Sequence, residues 1–159
     1  MKLRRLILIF IALISVSCGA LRTTASFYEQ QPQILRAEND GTYLIRSTGV
    51  GRTAANAMIE AHKNAIYEIL FKGISSSTTT NNAIRPLVRE VNAREKYSEY
   101  FNAFFADGGL YLKFIDTKEK RTGSSTYAKN KSQVQCTTDI SVDISKLKIQ
   151  LINDNIIKQ

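Results

Sequence analysis

The sequence predicts a single α+β domain, a small antiparallel sheet of about three strands packed against an alanine-rich helix in the order β-α-α-β-β-α. Three observations carry this expectation. Residues 132 to 145 alternate strictly, with Val134, Cys136, Thr138, Ile140, Val142 and Ile144 on one side and Gln133, Gln135, Thr137, Asp139, Ser141 and Asp143 on the other, the pattern of a half-buried strand. Ala54, Ala57, Met58, Ala61, Ala65 and Ile69 recur at helical spacing, flanked by Ala55, Ile59, Ile66 and Leu70. The chain has 159 residues, 43% hydrophobic and 23% charged, with two Pro and eight Gly, which gives room for one core and excludes a collagen-like, multidomain or wholly disordered chain.

The amino end is read apart from the domain. Lys2, Arg4 and Arg5 precede an apolar run, Leu6 to Ile14, and a small-residue stretch, Ser15-Val16-Ser17, that stops at Cys18. That is the layout of a secretory signal, and the run is too short for a spanning helix, which needs about 20 apolar residues. It resembles a bacterial lipoprotein signal, in which a cysteine after small residues becomes the lipidated first residue of the mature chain. Here that residue is Cys18, and the resemblance implies a covalent lipid on Cys18 and no other cofactor. Gly19, Ala20, Leu21 and Arg22 follow with no aspartate at the second mature position, which by the same resemblance implies the periplasmic face of the outer membrane. Removing residues 1–17 with their three cations takes the formal charge from +8 to +5. An exported chain of that charge is expected to meet anionic lipid, cell-wall polymer or acidic protein faces rather than nucleic acid. With Cys18 lipidated, Cys136 is the one remaining cysteine, so no intramolecular disulfide forms.

Residues 18 to 41 are polar and aperiodic and read as a lipidated tether, spanning about 25 Å as a flexible coil. The folded domain is expected over 42–159. Thr42 to Val50 is strand-like, bounded by Asp40-Gly41 and Gly49-Val50-Gly51. Thr53 is placed to cap the alanine-rich helix, which ends at Lys72-Gly73 before the polar loop Ser75 to Asn82. Pro86 suits the first turn of a second helix running to about Ala106, whose apolar face drifts enough to predict a bend or two short helices. Leu110 to Asp116 reads as a strand, Thr117 to Lys131 as a charged hairpin tip, and Ser145 as the cap of a short terminal helix.

Several residue patterns invite chemical readings. Gly49-Val50-Gly51-Arg52-Thr53-Ala54 fits G-x-G-x-x-A between a strand and a helix, yet Arg46 and Ser47 interrupt the strand and no second βαβ unit follows, so a tight turn needing two glycines is the better account. His62, the single histidine, lies on the apolar arc of the first helix as a core residue. Asp139 and Asp143 sit about 13 Å apart along one strand face, too far to share a reacting bond. Neither a metal cluster nor a nucleophile-base pair can be assembled, so no catalytic or metal site is expected. Two surfaces are candidates for partner binding. One is the cationic tip with Lys118, Lys120, Arg121, Lys129 and Lys131. The other is the aromatic second helix with Tyr97, Tyr100, Phe101, Phe104 and Phe105, too many rings for one inward face.

The stretch from Ser47 to Ile69, a glycine turn followed by an alanine-rich helix, with an alternating strand and a leucine further on at Ile140 to Leu147, resembles small envelope lipoproteins and the amino-terminal domain of the flagellar assembly protein T family. The resemblance covers most of 42–152 and implies structural pieces of envelope machines, with no catalytic residues to carry over. The expectation is a non-enzymatic outer-membrane lipoprotein serving as a periplasmic scaffold or assembly subunit of a secretion or motility apparatus. It would bind other envelope proteins or its own copies, with the lipid as its membrane contact. The alternative is a periplasmic binding module for an anionic small molecule or cell-wall polymer.

Overall fold

Ten consecutive cross-strand pairs, from Thr42↔Asp143 to Gly51↔Val134, join the two strands that organise the molecule. A computed structural model describes residues 30–76, 82–116, 125–129 and 132–158. The elements are β1 (Gln33–Ala37), β2 (Thr42–Gly51), α1 (Ala54–Tyr67) with a π-helical turn (Glu68–Lys72), α2 (Ala93–Lys96), α3 (Ser98–Phe104), a 3₁₀ turn (Leu110–Phe114), β3 (Ile115–Asp116), β4 (Thr126–Lys129), β5 (Val134–Asp143) and α4 (Ile144–Asn153). The fold is α+β as expected, but among the described residues its antiparallel sheet has five strands rather than about three, in the order β1-β2-β5-β3 with β4 also on β5.

The sheet buries one face under α1. Ile45, Ser47, Gly49 and Gly51 of β2 pair with Ile140, Thr138, Cys136 and Val134 of β5, so these side chains share that face. Ala57, Ala61 and Ala65 of α1 are fully buried against it. Thr53 caps the helix as expected, its hydroxyl accepting from the Asn56 N–H at 3.2 Å. A larger cluster built from Ile34, Ile66, Ile69, Leu70, Phe101, Phe104, Tyr111, Phe114, Leu147 and Leu151 completes the core.

The opposite face is less solvated than the alternation implies. Arg46 lies over its cross-strand partner Asp139, donating from Nε at 2.7 Å and Nη2 at 2.9 Å, and the Asp139 side chain is only 5% exposed. Next to it the Thr48 and Thr137 hydroxyls bond at 2.9 Å.

Four elements depart from expectation. The segment 18–41 is not tether throughout: β1 pairs with Tyr43 to Arg46 and buries Ile34, and a turn held by the Asp40 carboxylate, which accepts from the Thr42 N–H, leads into β2. The second helix begins at Ala93, not Pro86, because the Leu87 and Val88 N–H groups donate to the Ile69 and Leu70 carbonyls, satisfying acceptors at the end of the first helix. It then divides at Tyr97. Leu110 to Phe114 is 3₁₀ rather than strand, with Tyr111 and Phe114 inward at a spacing of three. Finally, α4 is capped by Asp143, which accepts from the Lys146 N–H at 2.8 Å, rather than by Ser145.

β3 pairs with Val142 and Ser141 of β5, and β4 with Thr137 to Val134. Both therefore lie along the one edge of β5 that β2 leaves open, running in the same direction. Within the expected hairpin tip, Thr126–Lys129 form β4, while residues 117–124 and 130–131 lie outside the described residues.

Candidate functional site

A cleft of about 580 Å³ lies where β1 stops short of the end of β2. β1 covers β2 only as far as Arg46, so among the described residues no strand pairs with the outer edge of 47–51. Thr48, Gly49 and Val50 form one wall of the cleft. Glu60, Lys63, Asn64 and Tyr67 of α1 supply the second, and Arg94, Phe101, Asn102 and Phe105 from α2, α3 and the residue after it supply the third.

The groups in this cleft are held in place. Asn64 Nδ2 donates to the Thr48 carbonyl at 3.1 Å. Lys63 Nζ donates to Asp107 at 3.0 Å, and Glu60 lies 3.9 Å away. Burial pulls the Lys63 ammonium down, but the Asp107 hydrogen bond and the surrounding negative charge outweigh it and leave its pKa raised, so it stays cationic. The Arg94 guanidinium sits 5.4 Å from the centre of the Tyr67 ring, within cation–π range. Behind it, Tyr67 packs on Phe71 at 5.0 Å and Phe71 edge-on to Phe101 at 4.9 Å. A strand edge that no described strand covers, beside fixed cations, side-chain amides and ring faces, can take an extended peptide, whose backbone adds to the edge while its side chains meet the walls.

The sequence-derived candidates are distributed differently. Cys18, Lys118, Lys120, Arg121 and Lys131 lie outside the described residues. Lys129 is exposed at the end of β4, paired with Val134, and β4 separates it along the chain from the cations at 118–121. Phe101 is 3% exposed and Phe104 2%, so both are core residues rather than surface rings. The rings divide among environments: Tyr100 donates its hydroxyl to Asp154 at 2.7 Å and Tyr97 donates to Glu90 at 3.3 Å, both half-buried, while Phe105 lines the cleft. Burial, helped by the Asp154 carboxylate, pushes the Tyr100 hydroxyl well above the usual phenol range.

The glycine pair has a different purpose from the turn expected of it. Both glycines are strand residues, and a Cβ on Gly49 would lie 2.1 Å from the Ala61 nitrogen and 2.4 Å from the Ala57 oxygen. A Cβ on Gly51 would lie 2.6 Å from the Ala57 nitrogen. The two glycines let the backbone of α1 pack directly on β2. Cys136 faces the same seam, fully buried as expected, with burial raising its thiol pKa. Asp139 and Asp143 are each committed elsewhere, to Arg46 and to the α4 cap. Among the described residues no group of three or more His, Cys, Asp or Glu is placed to hold a metal.

His62 is half-buried on α1, and burial lowers its pKa below the ordinary 6.5. The unfolded chain therefore takes up the proton at a higher pH than the folded one. Stability should be fullest above pH 6.5 and fall as the pH drops through that value towards the folded pKa. His62→Gln should remove this acid-side loss in urea titrations at pH 7.5 and 5.5, and an unchanged pH dependence would show that the imidazole is not the group responsible.

The cleft was missed at the sequence level because it depends on where β1 ends, and a five-residue strand with one buried side chain leaves little trace. The visible signal was Arg94 and Tyr67 flanking a helix pair whose rings outnumber the inward positions. Comparison with family models, with curated proteins and with solved structures returns no match, so the resemblance to envelope lipoproteins rests on the sequence motifs alone.

Proposed function

We propose that the protein is a non-enzymatic, lipid-anchored subunit on the periplasmic face of the outer membrane. It serves as a scaffold or assembly component of an envelope machine of the secretion or motility kind. Anchoring is supported by Cys18, which closes a signal of lipoprotein type. The observation that carries the scaffold role is the cleft at the edge of β2 that no described strand covers, lined by Arg94, Lys63, Asn64 and Phe105. Its cations are engaged with Tyr67, Asp107 and Glu60. An extended segment of a partner protein, entering as an added strand, suits such a lining.

A photo-crosslinking residue at the exposed Asn102 position should capture a discrete protein partner in intact cells, and Arg94→Glu should abolish that adduct. Capture from the Lys129 position alone would move the interface to the β4–β5 turn. No adduct from either position would count against a scaffold role.

A further inference from the structure

A second groove, of about 650 Å³, separates the irregular stretch that begins at Arg85 from the residues that follow α4. Five cations line it, Arg85, Arg89, Lys96, Lys148 and Lys158, against one carboxylate, Glu90. Lys96 and Glu90 are matched to each other, Nζ to Oε1 at 2.5 Å. The other four have no carboxylate within ion-pair distance among the described residues. Like charges gathered in one concavity repel unless an anion joins them, and two arginines offer the forked donors that suit phosphate oxygens.

The groove is also partly apolar. Leu87 and Ile157 are half-buried in its lining, and Val91, next in the chain to Glu90, is 83% exposed. A soluble polyanion gains nothing from an exposed valine beside its site. A bilayer surface does, because it offers phosphate at headgroup level and hydrocarbon just beneath, where cations and apolar side chains on one surface are both accommodated. We propose that this groove seats the phosphate of an anionic phospholipid headgroup and holds the domain against the membrane surface. The proposal rests on the anchored reading of Cys18. From Cys18 to the first described residue, Gln30, the chain reaches at most about 40 Å, so the groove is confined close to the bilayer.

The test uses the mature chain from residue 18 onward, which contains every core residue, with Cys18→Ser so that no lipid contributes. It should co-sediment with phosphatidylcholine vesicles containing phosphatidylglycerol and not with phosphatidylcholine alone, and added salt should weaken the binding. Replacing Arg85, Arg89, Lys148 and Lys158 together by serine should keep the circular dichroism spectrum, since all four are exposed. It should lower vesicle affinity by at least about a hundredfold, given about fivefold for each cation near an anionic surface. Val91→Ser should weaken vesicle binding while leaving any binding of inorganic polyphosphate unchanged. The proposal fails if wild type ignores phosphatidylglycerol vesicles, or if the fourfold variant binds them equally well. It fails too if polyphosphate displaces the vesicles and Val91→Ser has no effect, which would make the ligand a soluble polyanion. The mass of the chain recovered from cells reports lipidation separately: a lipidated chain that ignores vesicles loses only the groove, and a vesicle-binding chain without lipid loses only the anchor.

Discussion

Gly49→Ala is expected to cost on the order of 3 kcal/mol or more, a large share of the stability of a small domain. The added methyl would stand 2.1 Å from the Ala61 nitrogen, 2.4 Å from the Ala57 oxygen and 2.6 Å from the Glu60 carbonyl carbon. These are backbone atoms of α1, which cannot turn aside as a flexible side chain does. The helix would have to lift from β2, uncovering Ala57, Ala61 and Ala65, all fully buried. Gly108→Ala is the matched control. Gly108 has a φ of +74° but nothing within 4 Å of its added Cβ, so the cost there should be only the about 1–2 kcal/mol of a left-handed alanine. Urea denaturation of both variants checks the difference. A Gly49→Ala protein about as stable as wild type would mean that α1 does not sit on the strand backbone.

Phe104→Ala should lose about 3–5 kcal/mol, the range for deleting a buried aromatic ring. Phe104 is 2% exposed, stacks near-parallel on Phe114 with centroids 6.0 Å apart, and meets Phe105 edge-on at 5.0 Å. It ties α3 to the 3₁₀ turn that leads into β3, so its removal opens a cavity between elements that no regular hydrogen-bond ladder joins. Tyr97→Ala, from a half-buried ring of the same helix pair, should cost much less. Comparable losses for the two, measured by thermal or urea unfolding, would place Phe104 on the surface and restore the aromatic patch as an interface.

β5, β2 and α1 were legible because each buries one whole face over ten or more residues, so the period survives in the sequence. Cys136, read as buried on the side of Val134 and Ile140, is there for that reason. β1 was hidden by its length and by the bulge between Ile34 and Arg36, which breaks the alternation. In Leu110-Tyr111-Leu112-Lys113-Phe114 the apparent alternation is misleading, since tertiary packing takes Tyr111 and Phe114 inward and leaves Leu112 40% exposed. The stretch after Pro86 carries helix-compatible residues, yet the first helix ends with free carbonyls that it is placed to satisfy, a long-range demand no local window reveals. For the candidate sites, composition indicated cations and rings, but not that Phe101 turns inward, that β4 divides the charged run, or that Arg85, Arg89, Lys148 and Lys158 meet across 73 residues of chain.

Intact mass spectrometry of the chain recovered from the outer-membrane fraction of cells decides whether this domain works while attached to a membrane through Cys18. The expected species is a chain beginning at Cys18, without residues 1–17, and heavier than its amino-acid mass by covalently bound acyl groups. Cys18→Ala should give no acylated species and should leave that fraction. A wild-type chain that carries no acyl mass, or a Cys18→Ala chain that is processed and fractionates as wild type does, would contradict that attachment.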